Sequence, residues 1–230
     1  IRDRDLSKRN AFLALVLLVP APSIGALCAM VIFPDSWPGV LLFGVSKVWL
    51  LGLPIAWCTF VDRKPISFSP PKNGGFLIGL LSGLGLSGAI LAVYLTVGDS
   101  LIDREFLVSK LTSIGLASRG TYICAAAYWI LVNSVLEEYV WRWFCVKQCE
   151  SLLRPTVAII GSALFFTLHH IVAMRVYFGW TAVLVCAVGV FLGGTIWSAM
   201  YIRYRSIWPG YLSHAIVDLC IFAIAASMLF

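Results

Sequence analysis

The sequence predicts an all-α fold: a polytopic transmembrane bundle of about seven spans, with one further helix lying in the interface. Three observations lead there. Apolar residues make up 60% of the 230 positions and charged residues only 12%, about half the charged share of a soluble domain. Several apolar runs reach or exceed the ~20 residues needed to cross the hydrocarbon core. Lys and Arg fall unevenly between the runs, as they do when alternate loops face opposite sides of a membrane.

The spans are expected at residues 11–33, 40–61, 75–97, 121–146, 156–174, 178–201 and 207–230. The first run is too long for a signal-peptide core and lacks a small-x-small cleavage site, so it reads as a retained span. Pro20 and Pro22 are expected to kink it, and Pro54 the second; neighbouring helices in a bundle can absorb such breaks. DRKPISFSPPKNGG, residues 62–75, is a polar, Pro-rich loop. The third span contains GLLSGLGLSG, a small-residue face suited to close helix packing. After it, LIDREFLVSKLTSIGL spaces Leu101, Phe106, Leu107, Leu111 and Ile114 at helical intervals, as an interfacial helix or a cap on the bundle would. The chain divides into an N-terminal three-span region with this segment, residues 1–120, and a four-span core, residues 121–230.

Segments on the N-terminal side of the membrane hold 11 Lys or Arg, those on the other side 4, and Lys47 and Arg142 lie inside spans. This predicts an integral, multi-pass protein with a cytoplasmic N-terminus. The basic excess points to lipid rather than to nucleic acid, because no basic face is interleaved with aromatics. The seven cysteines lie in or beside apolar runs without a CxxC pair, and read as small core residues. Cys145, near the end of its span, has no matched base for a cysteine-protease reading.

Against this apolar background, three spans carry polar groups at comparable depth. SVLEEYVWRWF supplies Glu137, Glu138 and Arg142; GSALFFTLHHI supplies His169 and His170; HAIVD supplies His214 and Asp218. All three histidines of the chain are in this set. A charge at the middle of a membrane helix costs ~2.5–3.5 kcal/mol on insertion scales, so such residues usually have a task. At a rise of ~1.5 Å per residue, Glu137 lies about 15 Å, His214 about 12 Å and His170 about 22 Å inside the nearest cytoplasmic span boundary.

Glu138 and Arg142 stand at i and i+4 in the order that favours an ion pair, which leaves Glu137 about 100° round the helix and free. His214 and Asp218 have the same spacing, so Asp218 can orient the imidazole or share its target. A carboxylate in apolar surroundings is a better proton acceptor than one in water. Neighbouring imidazoles can position a water and polarise a carbonyl. Two other readings stand beside this one: helix glue without chemistry, and a zinc ion held by Glu137, His170 and His214, although HExxH is absent.

EEYVWR fits EExxxR, FTLHH fits FxxxH and HAIVD fits HxxxN/D. In this order, on separate hydrophobic segments, they resemble the CPBP family of CAAX prenyl endopeptidases, Abi-type membrane proteins and glutamic-type intramembrane proteases, from about Thr121 onward. The resemblance implies that Glu137 is a general base activating water and that His170, with His169 as the alternate, helps to bind it. It makes His214 and Asp218 the oxyanion-stabilising pair, and Glu138 with Arg142 supporting residues. Asp218 departs from the commoner Asn, since an ionised Asp cannot donate a hydrogen bond.

The expected function is an intramembrane endopeptidase that cuts near the C-terminus of membrane-associated proteins, without a cofactor. Its partners are then the bilayer and a substrate presenting either a CAAX-type tail or a transmembrane anchor. The alternative is a non-proteolytic protein of the same fold, acting in bacteriocin immunity or as a scaffold. A transporter or proton relay would use similar residues, but no inverted repeat supports it. Lys47 would serve in the transporter or proton-relay reading; in the others it is left to snorkel, to pair with an acid or to line the cavity.

Overall fold

A computed structural model of the chain describes residues 2–230, with side chains from Ser7 onward. Arg2 and Arg4, two of the charges behind the expected orientation, therefore have side chains outside the described residues. Seven helices are long and apolar enough to cross a membrane: α1 Ser7–Ile32, α2 Trp37–Val61, α3 Phe76–Leu101, α5 Arg119–Leu152, α6 Pro155–Met174, α7 Trp180–Tyr204 and α8 Trp208–Leu229. Between α3 and α5 lies the short α4, Arg104–Ser113. No strand occurs among the described residues.

The expected breaks occur where proline removes a ladder hydrogen bond. α1 is interrupted at Val19, just before Pro20, and α2 passes into a π-helical turn, Trp57–Val61, shortly after Pro54. α4 starts at Asp103, whose side chain accepts the Phe106 N–H at 3.0 Å, as an N-cap does. Leu107 is buried, and Arg104 donates to the Met228 carbonyl at 3.1 Å, so α4 is fastened to the end of α8.

The small-residue face of α3 packs along α8. A Cβ at Gly79 would run into the Pro209 carbonyl and one at Gly83 into the Ser213 backbone. Ser82 Oγ donates to Ser213 Oγ at 3.1 Å, and Ser87 Oγ to the Ile216 carbonyl at 3.3 Å. Small residues gain such close approach in a membrane, where water supplies no driving force between helices. The 62–75 loop crosses the other end of α8. Ser206 Oγ donates to the Ser69 carbonyl at 2.8 Å, the Ile207 N–H to Ser69 Oγ at 3.1 Å, and Trp208 Nε1 to the Phe68 carbonyl at 3.3 Å. α8 is thus fixed at both ends and along one face.

α5 runs through the middle of the bundle. Val140, Trp141, Arg142, Trp143, Phe144, Cys145 and Val146 are all buried, against residues of α1, α2, α6, α7 and α8. A helical stretch enclosed in this way is apolar all round, which is why Arg142 stands out. The fourth span was expected to end at 146, but the helix runs to Leu152. Its last turns, KQCESL, bury Gln148 and Cys149. All seven cysteines are free, and Cys58, Cys145 and Cys149 are buried.

Candidate active site

The backbone of α5 is wound as a π-helix over Tyr128–Asn133 and again over Tyr139–Val146. Between them Ser134–Glu138 is an α-helical island that carries both carboxylates. Short π-helical turns inside α-helices occur frequently at functional sites.

The two neighbouring glutamates have opposite surroundings. The Glu138 side chain is fully buried; its Oε1 accepts from His214 Nδ1 at 3.0 Å and lies 3.4 Å from Arg142 Nε. Arg142 makes no aligned hydrogen bond and rests its guanidinium over the rings of Phe166, at 4.3 Å, and Trp197, at 5.1 Å. Cation–π contacts of this kind are worth ~2 kcal/mol or more when water is excluded. Glu137 keeps 16% of its side chain exposed and faces His214 Nε2 at 3.8 Å.

His214 is the hub. Its Nδ1 is committed to Glu138, its ring stacks on Trp197 with centroids 4.1 Å apart, and Nε2 lies between Glu137 and Asp218, 3.7 Å from Asp218 Oδ2. Trp197 is fixed in turn by donating from Nε1 to Ser213 Oγ at 2.9 Å. The tautomer-setting partner of His214 is therefore Glu138, from another helix, rather than Asp218 on its own.

Asp218 Oδ2 lies 2.6 Å from Ser134 Oγ, which is also 2.9 Å from the Trp129 carbonyl. A hydroxyl has one proton. It cannot serve both acceptors in full, whereas a protonated Asp218 donating to Ser134 Oγ satisfies all three atoms.

The consecutive histidines of α6 separate in role. His170 Nδ1 lies 2.9 Å from the Phe166 carbonyl. A carbonyl can only accept, so Nδ1 carries the proton and Nε2 keeps its lone pair. His169 stacks on Trp141 with centroids 5.1 Å apart and planes 5° apart, and its Nδ1 is buried without a partner. Glu137, His169 and His170 bring one ligand atom each within 4.8 Å of one another. These three, rather than a set with His214, are the donor group among the described residues with the spacing to hold a metal ion or to share a water.

Every residue singled out from the three motifs thus lies at one locus where α5, α6 and α8 meet. Sequence reasoning left out Ser134, which holds Asp218, and Trp197, which backs His214. It also left out Gly210, where a Cβ would stand 2.6 Å from Glu138 Oε2.

Over residues 119–220 the chain matches the family described as type II CAAX prenyl endopeptidase Rce1-like. This bears out the resemblance read from the three motifs. The matched segment holds all seven motif residues and leaves the first three spans outside. Comparisons with curated proteins and with solved structures return no match. The chain is an integral, multi-pass membrane protein whose residues 119–220 are similar to that endopeptidase family.

Proposed function

We propose that the protein is a glutamic-type intramembrane endopeptidase that uses a Glu137-activated water, with no covalent intermediate and no metal, on C-terminal tails of membrane-associated proteins. The observation that carries this reading is the Glu137 carboxylate, partly exposed, with His169 and His170 donor atoms within 4.8 Å and His214 Nε2 at 3.8 Å.

A water held between Glu137 and the His170 Nε2 lone pair gives its proton to Glu137, and its oxygen attacks the scissile carbonyl carbon. The developing oxyanion accepts from an Nε2–H of His214, beside which Asp218 is held by Ser134 Oγ. With Nδ1–H given to Glu138, that ring is an imidazolium whose charge Glu138 balances. The tetrahedral adduct collapses, the C–N bond breaks, and Glu137 passes its proton to the leaving amine. One water is consumed and two chains are released. Arg142 keeps Glu138 ionised and in place, and so acts through His214.

The same polarity argument that orients the spans places the N-terminus in the cytoplasm. The test is turnover of a farnesylated pentapeptide by the purified protein in lipid nanodiscs. Wild type should release a tripeptide, and Glu137→Gln should not. Equal release by both would remove Glu137 from the chemistry, and no release by wild type would favour the immunity or scaffold reading.

A further inference from the structure

Lys47 is the one cation more than two helical turns from either end of its span that the site does not absorb. It lies about 15 Å from the Trp37 end of α2, near mid-membrane, where a charge needs a partner. Arg142, the other cation so far from a span end, has Glu138. The Lys47 ammonium donates to Asn133 Oδ1 at 3.4 Å and lies over the rings of Phe43, at 5.5 Å, and Trp129, at 5.4 Å. It makes no ion pair among the described residues. An ammonium has three donors, and Asn133 takes one.

Its place relative to the site is fixed by α5. Asn133 stands four residues before Glu137, about one turn or 6 Å along the helix. Glu137 is within electrostatic reach of the ammonium. A positive charge with free donors therefore lies about a turn beyond the candidate base, on the side away from Arg142.

We propose that Lys47, held by Asn133 and the two aromatic faces, is an anion subsite that receives the α-carboxylate of the substrate's last residue. The inference rests on the peptidase reading and sharpens it. An extended chain advances ~3.3–3.6 Å per residue, so a carboxylate two or three residues past the scissile bond lies roughly 7–11 Å from the attacked carbon. One helical turn plus the reach of the lysine side chain spans that gap. A transmembrane anchor puts some twenty residues beyond the cut, and its carboxylate falls far from Lys47. The subsite thus selects short C-terminal tails over anchors.

The test is binding, so that it stands apart from turnover. The probe is a farnesylated pentapeptide with a ketomethylene isostere at the scissile position, made with a free α-carboxylate and as its carboxamide. Both are titrated into the protein in nanodiscs. Wild type should bind the acid at least about tenfold more tightly than the amide, as expected for a desolvated charge pair. Lys47→Met should erase the preference and Lys47→Arg should keep most of it. Asn133→Asp, which gives the ammonium an internal carboxylate, is the second variant and should also erase it. Equal affinities in wild type, or a preference that survives in Lys47→Met or Asn133→Asp, would overturn the subsite and leave Lys47 as a counter-charge to Glu137. If the preference holds while wild type releases no tripeptide, the subsite stands and the peptidase reading fails.

Discussion

His214 Nδ1 lies 3.0 Å from Glu138 Oε1, and this contact joins α8 to α5 at the centre of the site. The same carboxylate faces Arg142 Nε at 3.4 Å. Removing it leaves a fully buried guanidinium uncompensated. Breaking a buried pair from one side costs ~3–5 kcal/mol. Glu138→Ala should therefore lower the melting temperature sharply and abolish turnover, whereas Glu138→Gln, which keeps a hydrogen-bond acceptor for His214, should melt closer to wild type. Thermal melts in one detergent check the order; equal melts for Glu138→Ala and wild type would contradict it.

His169 and His170 differ in what they touch. His170 has its Nδ1 tied to the Phe166 carbonyl, and its free lone pair is assigned to the water. His169 has a flat stack on Trp141, which a phenyl ring can replace. His169→Phe should keep most of the turnover, and His170→Phe should reduce kcat by about 10²-fold or more, the usual scale for a lost proton-handling or water-positioning group. Steady-state kinetics decide this, and equal losses in both variants would remove the distinction.

Asp218 and Ser134 make a third test. Asn in place of Asp218 puts an amide N–H where a protonated carboxyl would donate to Ser134 Oγ, 2.6 Å away. Asp218→Asn should retain turnover within a few-fold, because its amide N–H takes over the donation to Ser134 Oγ. Asp218→Leu should be inactive. An inactive Asp218→Asn would mean that the ionised carboxylate is the working form.

The donor trio Glu137, His169 and His170 sets a fourth. On the water-only reading, dialysis against a strong chelator leaves turnover unchanged. A loss that zinc restores would assign the trio to an ion instead, with the imidazoles as ligands.

Much of this was legible because charge in an apolar span is conspicuous. Glu137, His170, His214 and Asp218 are unusual residues for their surroundings, and helix rise alone put them at comparable depth. The small-residue face of α3 also announced a close packing partner, though not that the partner would be α8. What stayed hidden were residues ordinary for a membrane helix. Ser134, Trp197 and Gly210 gain their roles only from which helix faces which. Lys47 was visible as a charge, but its hydrogen-bond partner lies 86 positions away. The π-wound stretches of α5 were unreadable for a related reason: neither carries a proline or glycine that would mark a change of winding.

The measurement that tests the central claim most directly is a mass-spectrometric comparison of protein C-termini in membranes expressing wild type or Glu137→Ala at equal levels. A defined set of membrane-associated proteins should keep its last few residues only in the variant, and the retained residues give the cleavage sequence. Identical C-termini, with both proteins folded and present, would contradict proteolysis by Glu137.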